Sequence, residues 1–129
     1  MRLRTFIVED NATIRDNLIA TLVELTHVEV LGTSESEDES TAWLQKNAGD
    51  WDLAILDLFL KQGSGLGVLI GCKGRTPQQK VVVLSNYATP DIRRRCMQLG
   101  ADAVFDKSNE IEDLVEFCVR QSGTEAAPS

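Results

Sequence analysis

Short apolar runs alternate with segments of helical periodicity along the whole chain. Each run is almost continuously apolar, which is typical of strands in a parallel sheet that is covered by helices on both faces. The predicted strands are 5–8, 28–31, 53–56, 81–84 and 103–105. Because right-handed crossovers join parallel strands, this alternation predicts a doubly wound α/β fold: a five-stranded parallel sheet with helices on both faces.

Apolar residues at helical spacing fill the segments between these runs. The first predicted helix has them three or four positions apart, at Ile14, Leu18, Leu22 and Leu25. Further helices are predicted over 37–47, 89–100 and 110–121. Glycine destabilises a helix by about 1 kcal/mol relative to alanine, and five glycines fall between 63 and 74. The third helix is therefore expected to be short or mobile.

Length and composition indicate one ordinary folded domain. Of 129 residues, 43% are hydrophobic and 26% are charged, and both fractions are near the globular average. The domain is predicted over residues 1–121. The small-residue stretch 122–129 has little to pack and is predicted to be a disordered tail.

The charge balance narrows the range of partners. Twenty acidic residues against 13 basic ones leave a net charge of −7. Because phosphate backbones and anionic lipid surfaces repel such a chain, direct DNA binding and membrane association are not expected. Three cysteines without a C-x-x-C pair, and the lack of an apolar stretch of signal-peptide or membrane-span length, favour the cytoplasm.

Polar residues of complementary type follow four of the five predicted strands. They are Glu9 and Asp10 after the first strand, Asp57 after the third, Ser85 after the fourth and Lys107 after the fifth. Ligands of doubly wound sheets bind beyond the carboxyl ends of the strands, so we expect these side chains to form one site. A single aspartate after a strand is usually only a turn residue, and the prediction therefore depends on the whole set.

The chemistry of this set points to a phosphoryl group. Three clustered carboxylates repel one another unless a cation lies between them. Oxygen ligands suit Mg²⁺, which binds one or two carboxylates together with a substrate phosphate. The hydroxyl of Ser85 and the ammonium of Lys107 complete the needs of a phosphoryl group. Asp57 is the natural nucleophile, because the run 53–56 before it predicts the most buried strand.

These motifs resemble the receiver domain of two-component response regulators, in particular the single-domain chemotaxis type. The matching segments are V-E-D at 8–10, L-D-L at 56–58, Gly65, V-L-S at 83–85, G-A-D at 100–102 and D-K-S at 106–108. The resemblance covers residues 3–121. It implies a flavodoxin-like fold with strand order 2-1-3-4-5.

The resemblance also implies the roles of the acidic residues. Asp57 would accept a phosphoryl group from a phosphohistidine of a sensor histidine kinase or a histidine phosphotransfer protein. Asp10 would bind Mg²⁺ directly and Glu9 would bind it through water. Asp57 itself and the backbone carbonyl of Phe59 would be further metal ligands.

The same resemblance implies how the signal is passed on. Ser85 would donate a hydrogen bond to the new phosphoryl group and Lys107 would form its ion pair, so that the charge change biases a two-state switch. The signal would pass to a downstream effector protein by phosphorylation-dependent association, with a homodimer as a possible state. Such a protein catalyses only its own phosphorylation and dephosphorylation, and it is not an enzyme in the ordinary sense.

The sequence departs from the family pattern at several positions. Lys61 stands where a proline is common, which predicts a looser loop after the acceptor. Val104 takes the place of a switch aromatic, and Phe105 is expected to face the opposite side of the sheet. Phe59 and Tyr87 flank the site, where they are expected to affect water access and the lifetime of the phosphorylated state.

Other conspicuous residues have structural interpretations. His27 is expected at a helix–strand junction, Trp43 and Trp51 are expected to pack around the second helix, and the arginines 93–95 are expected on a solvated helix face.

Three alternative functions compete with the receiver hypothesis. A phosphatase of the haloacid dehalogenase type needs a second aspartate where this chain has Phe59. A nucleotide- or flavin-binding module is disfavoured, because G-S-G-L-G at 63–67 does not match G-x-G-x-x-G. The alternative that remains open is a receiver-like constitutive interaction module that is not phosphorylated.

Overall fold

The computed structural model describes residues 2–123. Five parallel strands lie in the order β2-β1-β3-β4-β5. Their bounds are Leu3–Val8 for β1, Val28–Ser34 for β2, Leu53–Asp57 for β3, Lys80–Ser85 for β4 and Ala103–Asp106 for β5. The predicted fold class and strand order are confirmed.

Five helices connect or follow the strands. They are α1 (Ala12–Leu25), α2 (Glu37–Lys46), α3 (Gly65–Gly71), α4 (Pro90–Gln98) and α5 (Ile111–Gly123). With seven residues, α3 is as short as the glycines predicted. The last helix extends two residues beyond the predicted boundary at 121, and Ser122 is fully buried. The rest of the predicted tail, 124–129, lies outside the described residues.

Two apolar layers lie on opposite faces of the sheet, because successive side chains of each strand point to opposite sides. In β3, Ile55 packs with Leu22 of α1 and Leu114 of α5, whereas Leu56 packs with residues of α2, α3 and α4. Asn11 begins α1, and its side-chain oxygen accepts a hydrogen bond from the Ile14 N–H. The central strands are covered on both sides, which explains their continuous hydrophobicity.

The two tryptophans pack as predicted. The ring of Trp43 in α2 stacks on Phe6 of β1, with ring centroids 4.1 Å apart. Trp51 is buried in the same layer. The three cysteines are buried free thiols. No helix within residues 2–123 is long and apolar enough to cross a membrane. The expected cytoplasmic location stays a prediction.

Gly65 fixes the distance between α3 and the end of β3. Its N–H donates to the carbonyl oxygen of Leu58 at 3.0 Å. A Cβ atom at this position would lie 2.1 Å from the carbonyl oxygen of Asp57, which is backbone and has no room to move aside. The glycine is therefore required by the close approach of α3 to the strand that carries Asp57.

We expect Gly65→Ala to destabilise the protein by about 2 kcal/mol, because the added methyl group forces the backbone of β3 and α3 apart. The measurement is urea denaturation of the variant beside wild type. Gly71→Ala is the matched control in the same helix: apart from its chain neighbours and the backbone of its own helix, no atom lies within 4 Å of its added Cβ. Its stability should stay within about 1 kcal/mol of wild type. Equal stability of the two variants would contradict the close-approach explanation.

Candidate functional site: an acidic cluster at the carboxyl edge of the sheet

Three carboxylates meet where β1 and β3 end. Glu9 and Asp10 directly follow β1, and Asp57 is the last residue of β3. Because β1 and β3 are neighbours in the sheet, one oxygen from each carboxylate lies within 4.8 Å of the other two. Glu9 and Asp57 are buried, and Asp10 is half-buried. The structure thus brings together the three acidic residues that the sequence predicted.

Lys107 is the cation of this cluster. Its Nζ lies 2.6 Å from an oxygen of Glu9 and 3.3 Å from Oδ2 of Asp57. Its backbone N–H donates to the carbonyl oxygen of Ser85 at 3.0 Å, which anchors the lysine beside the end of β4. Only a tenth of its side chain is exposed, so solvent screens both ion pairs weakly.

Burial makes the Asp57 carboxyl a weaker acid than a solvent-exposed aspartic acid. Removal from solvent raises the pKa of this carboxyl from 3.8 to about 6. The charge of Lys107 opposes this effect, and the negative charge of Glu9 adds to it. The N–H of Phe59 also points to Asp57, at 3.4 Å from Oδ1. The acceptor predicted from the sequence is therefore a buried carboxylate with one strong cationic partner.

Three carboxylates against one ammonium leave the cluster with an excess of negative charge. Every candidate ligand atom is a carboxylate oxygen, which is the donor type that Mg²⁺ prefers. The residues present therefore fit a hard divalent cation. Phe59 follows Asp57 by two residues, and the proposed role of its carbonyl stays a prediction.

Ser85 lies next to the cluster, at the end of the strand beside that of Asp57. It is fully buried at the end of β4. In the register of β3 and β4, Asp57 lies opposite Leu84, the residue before Ser85. The Ser85 hydroxyl oxygen accepts a hydrogen bond from the Tyr87 N–H at 3.0 Å.

An aromatic pair joins the two loops beside Asp57. The rings of Phe59 and Tyr87 meet edge to face, with centroids 5.4 Å apart. Both side chains are more than half exposed. Since the backbone N–H of Phe59 points to Asp57 and that of Tyr87 points to Ser85, the pair borders the site as the sequence predicted.

The loop after Asp57 is hydrogen-bonded to the acidic cluster at Lys61. The N–H of Lys61 donates to Oδ2 of Asp10 at 2.6 Å. A proline at this position would lack that donor. The departure from the family pattern therefore supplies a hydrogen bond, and the expectation of a looser loop stays a prediction.

Val104 and Phe105 face opposite layers, as strand alternation predicted. Val104 is buried in the layer formed with α2, α3 and α4. Phe105 packs against Phe117 of α5, with ring centroids 6.0 Å apart.

Arg93 has more contacts than a solvated helix face would give it. Its guanidinium donates to the carbonyl oxygens of Ala88 and Val104, at 2.9 and 3.1 Å, and to Glu110 at 2.6 Å. The predicted solvated face therefore does not describe Arg93, whereas Arg94 is mostly exposed. Sequence spacing gave no signal for this contact, because its partners lie on three different segments.

The comparisons with known proteins place these features in one family. The sequence matches the response regulator receiver domain over residues 5–118. The chain therefore belongs to the response regulator receiver domain family. Members are signalling modules of two-component systems rather than classical enzymes, and they bind Mg²⁺ at an acidic pocket.

Curated relatives are distant in sequence. VraR of Staphylococcus aureus (strain Mu3), a response regulator protein, is 23% identical over 126 residues, which is 98% of this chain and 59% of VraR. ActR of Rhizobium meliloti (strain 1021), an acid tolerance regulatory protein, is 28% identical over 75 residues, which is 58% of this chain and 39% of ActR. The chain thus spans about half the length of the curated relatives it matches.

Solved structures share the fold. The receiver domain of NarL from Mycobacterium tuberculosis has a TM-score of 0.78 at 20% identity, covering 92% of this chain and 97% of that one. The phosphorylated cyanobacterial phytochrome response regulator RcpA has a TM-score of 0.74 at 25% identity, covering 100% and 97%. A Burkholderia pseudomallei response regulator with a phosphorylated aspartic acid and a calcium ion has a TM-score of 0.74 at 22% identity, covering 96% and 71%.

The raised pKa of Asp57 predicts how stability depends on pH in the absence of divalent ions. A carboxyl with a raised folded-state pKa stabilises the fold below pH 4, and this contribution is lost as the pH rises through about 6. We therefore expect Asp57→Asn to be more stable than wild type at pH 7, by on the order of 1 to 3 kcal/mol.

Urea denaturation in chelator from pH 4 to pH 8 tests this expectation. The difference between Asp57→Asn and wild type should grow from pH 4 to about pH 6 and level off above it. Asp16→Asn, whose side chain is 74% exposed, is the control and should keep a nearly constant difference. A constant difference for Asp57→Asn as well would show that its pKa is not raised.

Proposed function

We propose that this chain is a response regulator receiver that accepts a phosphoryl group on Asp57 from a phosphohistidine, in a reaction that depends on Mg²⁺. One observation carries the proposal: Asp57 shares a buried cluster with Glu9 and Asp10, within 4.8 Å, and its Oδ2 lies 3.3 Å from Nζ of Lys107. Family membership over residues 5–118 supports the same role.

The transfer needs an ionised acceptor. A carboxylate oxygen of Asp57 attacks phosphorus and forms the new O–P bond while the N–P bond to the donor imidazole breaks. The electron pair of that bond returns to the ring, which leaves as neutral imidazole when its other nitrogen carries a proton. The ion pair with Lys107 favours the ionised acceptor against the effect of burial.

Each neighbour has a separate part in this proposal. Glu9, Asp10, Asp57 and the Phe59 carbonyl would hold Mg²⁺, which when bound neutralises charge on the transferred phosphoryl oxygens. Lys107 pairs with one of these oxygens after transfer. The Ser85 hydroxyl can donate to another oxygen while its own oxygen still accepts from the Tyr87 N–H.

The proposed output is a change in protein association. A phosphoryl group adds charge to a buried site, and a partner that binds the phosphorylated form more tightly shifts the population toward it. The donor would be a sensor histidine kinase or a histidine phosphotransfer protein, and the receiver of the signal an effector protein or a second copy of this chain. The net charge of −7 disfavours direct DNA contact by this segment.

We expect one phosphoryl increment in the intact mass of the protein after incubation with acetyl phosphate and Mg²⁺. Chelation of Mg²⁺ should abolish the increment, because the acidic cluster then repels the anionic donor. Asp57→Asn should abolish it as well, because an amide is not a nucleophile for this transfer.

Asp52→Asn is a suitable control, since Asp52 is paired with Arg4 away from the cluster, and it should keep the full increment. The absence of an increment in wild type, with acetyl phosphate and also with a phosphorylated histidine kinase, would refute the proposal. The chain would then be interpreted as a constitutive interaction module. An increment that persists in Asp57→Asn would place the acceptor elsewhere.

The aromatic pair beside the acceptor should slow hydrolysis of the aspartyl phosphate. Removal of either ring, in Phe59→Ala or Tyr87→Ala, should open a path for water and shorten the lifetime of the phosphorylated protein severalfold. The measurement is loss of the phosphoryl increment with time after the donor is removed. Met97→Ala removes a comparably exposed apolar side chain of α4 and should keep the wild-type lifetime. Unchanged lifetimes in both ring variants would show that the pair does not control water access.

A further inference from the structure

Glu37 joins α2 to the loop between β3 and α3. It is the first residue of α2, and its side chain is half-buried. Its carboxylate oxygen Oε1 accepts a hydrogen bond from the N–H of Ser64 at 2.8 Å. Its own N–H donates to the carbonyl oxygen of Gln62 at 3.1 Å. Two hydrogen bonds therefore hold the last part of this loop against α2.

Two glycines make room for the Glu37 side chain. A Cβ atom at Gly63 would lie 2.3 Å from Cβ of Glu37, and one at Gly67 would lie 2.2 Å from its Oε2. Gly63 also has a φ of +87°, a conformation that other residues rarely adopt. The carboxylate thus occupies space that side chains of the loop and of α3 would otherwise need.

The same loop is also hydrogen-bonded to the acidic cluster, through Asp10. The N–H of Lys61 donates to Oδ2 of Asp10 at 2.6 Å. The loop begins directly after Asp57, and its second residue, Phe59, directs its N–H toward the acceptor. Segment 58–64 is therefore fixed between two points, the acidic cluster on one side and Glu37 on the other.

We propose that Glu37 is a positioning residue for the metal site: it holds segment 58–64 so that the Phe59 backbone stays at the acidic cluster. This inference rests on the proposed function. Glu9, Asp10 and Asp57 lie at or directly after the ends of β1 and β3. Phe59 instead lies in the loop, where it forms an isolated β-bridge with Ser64, the residue whose N–H Glu37 binds, and where its ring contacts Tyr87. Loss of the Glu37 contact should therefore weaken Mg²⁺ binding and leave the acceptor carboxylate itself in place.

Isothermal titration with Mg²⁺ tests this role. We expect Glu37→Ala to raise the Kd for Mg²⁺ about tenfold, the usual size of an effect from a residue that supports the metal ligands. Asp38→Ala is the matched control, because it removes the same charge from the neighbouring exposed position. Asp38 lines the same cavity as Asp10, so this control measures how far the loss of one nearby charge by itself shifts the Kd. Glu37→Gln keeps an oxygen that can accept from Ser64, and it should restore most of the affinity relative to Glu37→Ala.

The rate of phosphorylation by acetyl phosphate gives a second readout. At saturating Mg²⁺, Glu37→Ala should reach the wild-type rate, whereas at low Mg²⁺ it should be slower. A general loss of folding would lower both rates, so this split separates positioning from a purely structural role. If Glu37→Ala does not fold, Gly67→Ala replaces it in the test, because its added Cβ would displace the Glu37 carboxylate. This variant should also raise the Kd for Mg²⁺. Gly71→Ala, with open space around its Cβ, should not.

The outcomes are distinguishable from those of the proposed function. If wild type binds Mg²⁺ and is phosphorylated but Glu37→Ala and Asp38→Ala have equal Kd values, the positioning role is refuted and the proposed function stands. The same holds if Gly67→Ala and Gly71→Ala bind Mg²⁺ equally well. If wild type neither binds Mg²⁺ nor takes up a phosphoryl group, both proposals fail together.

Discussion

Repulsion among Glu9, Asp10 and Asp57 is the constraint on which the site depends. Two unit charges 4.8 Å apart repel by about 3 kcal/mol at an effective dielectric constant of 20. Lys107 offsets part of this cost through its ion pairs with Glu9 and Asp57. The remaining cost arises because β1 and β3 are neighbouring strands and the three carboxylates lie at or directly after their ends. Under the proposed function, a bound divalent cation would offset this repulsion and allow an anionic phosphoryl group to approach.

The parallel sheet makes this crowding possible. Strands of one direction end at the same edge, so residues far apart in sequence arrive together without a binding motif of consecutive residues. Burial of β3 on both faces then holds Asp57 away from solvent, which is why its pKa rises. Gly65 contributes to the same arrangement, because only a residue without a side chain lets α3 approach the carbonyl of Asp57 so closely.

Hydrophobic periodicity and the residues at strand ends were enough to predict the sheet and the charged cluster at its edge. The parallel sheet and the meeting of Glu9, Asp10, Asp57 and Lys107 are consequences of those two patterns, and the family resemblance added the strand order. Contacts that depend on loop conformation could not be predicted in this way. The hydrogen bond from Lys61 to Asp10 uses a backbone N–H that the proline common at this position would lack. The contact of Glu37 with the loop depends on glycines 63 and 67, which by themselves indicated only a weak helix.

Arg93 connects α4 to the loop after β4, to β5 and to the residue before α5. With Val104 buried in place of an aromatic side chain, no ring at that position can move in response to Ser85. The guanidinium of Arg93 instead bonds the Ala88 carbonyl, three residues after Ser85, and also reaches β5 and Glu110 at the start of α5. Under the proposed function, a shift of Ser85 toward a phosphoryl group would displace the loop that Arg93 binds. Arg93 could then not keep its hydrogen bonds to both the loop and Glu110. These hydrogen bonds, rather than ring packing, would couple α4 and α5 to the site.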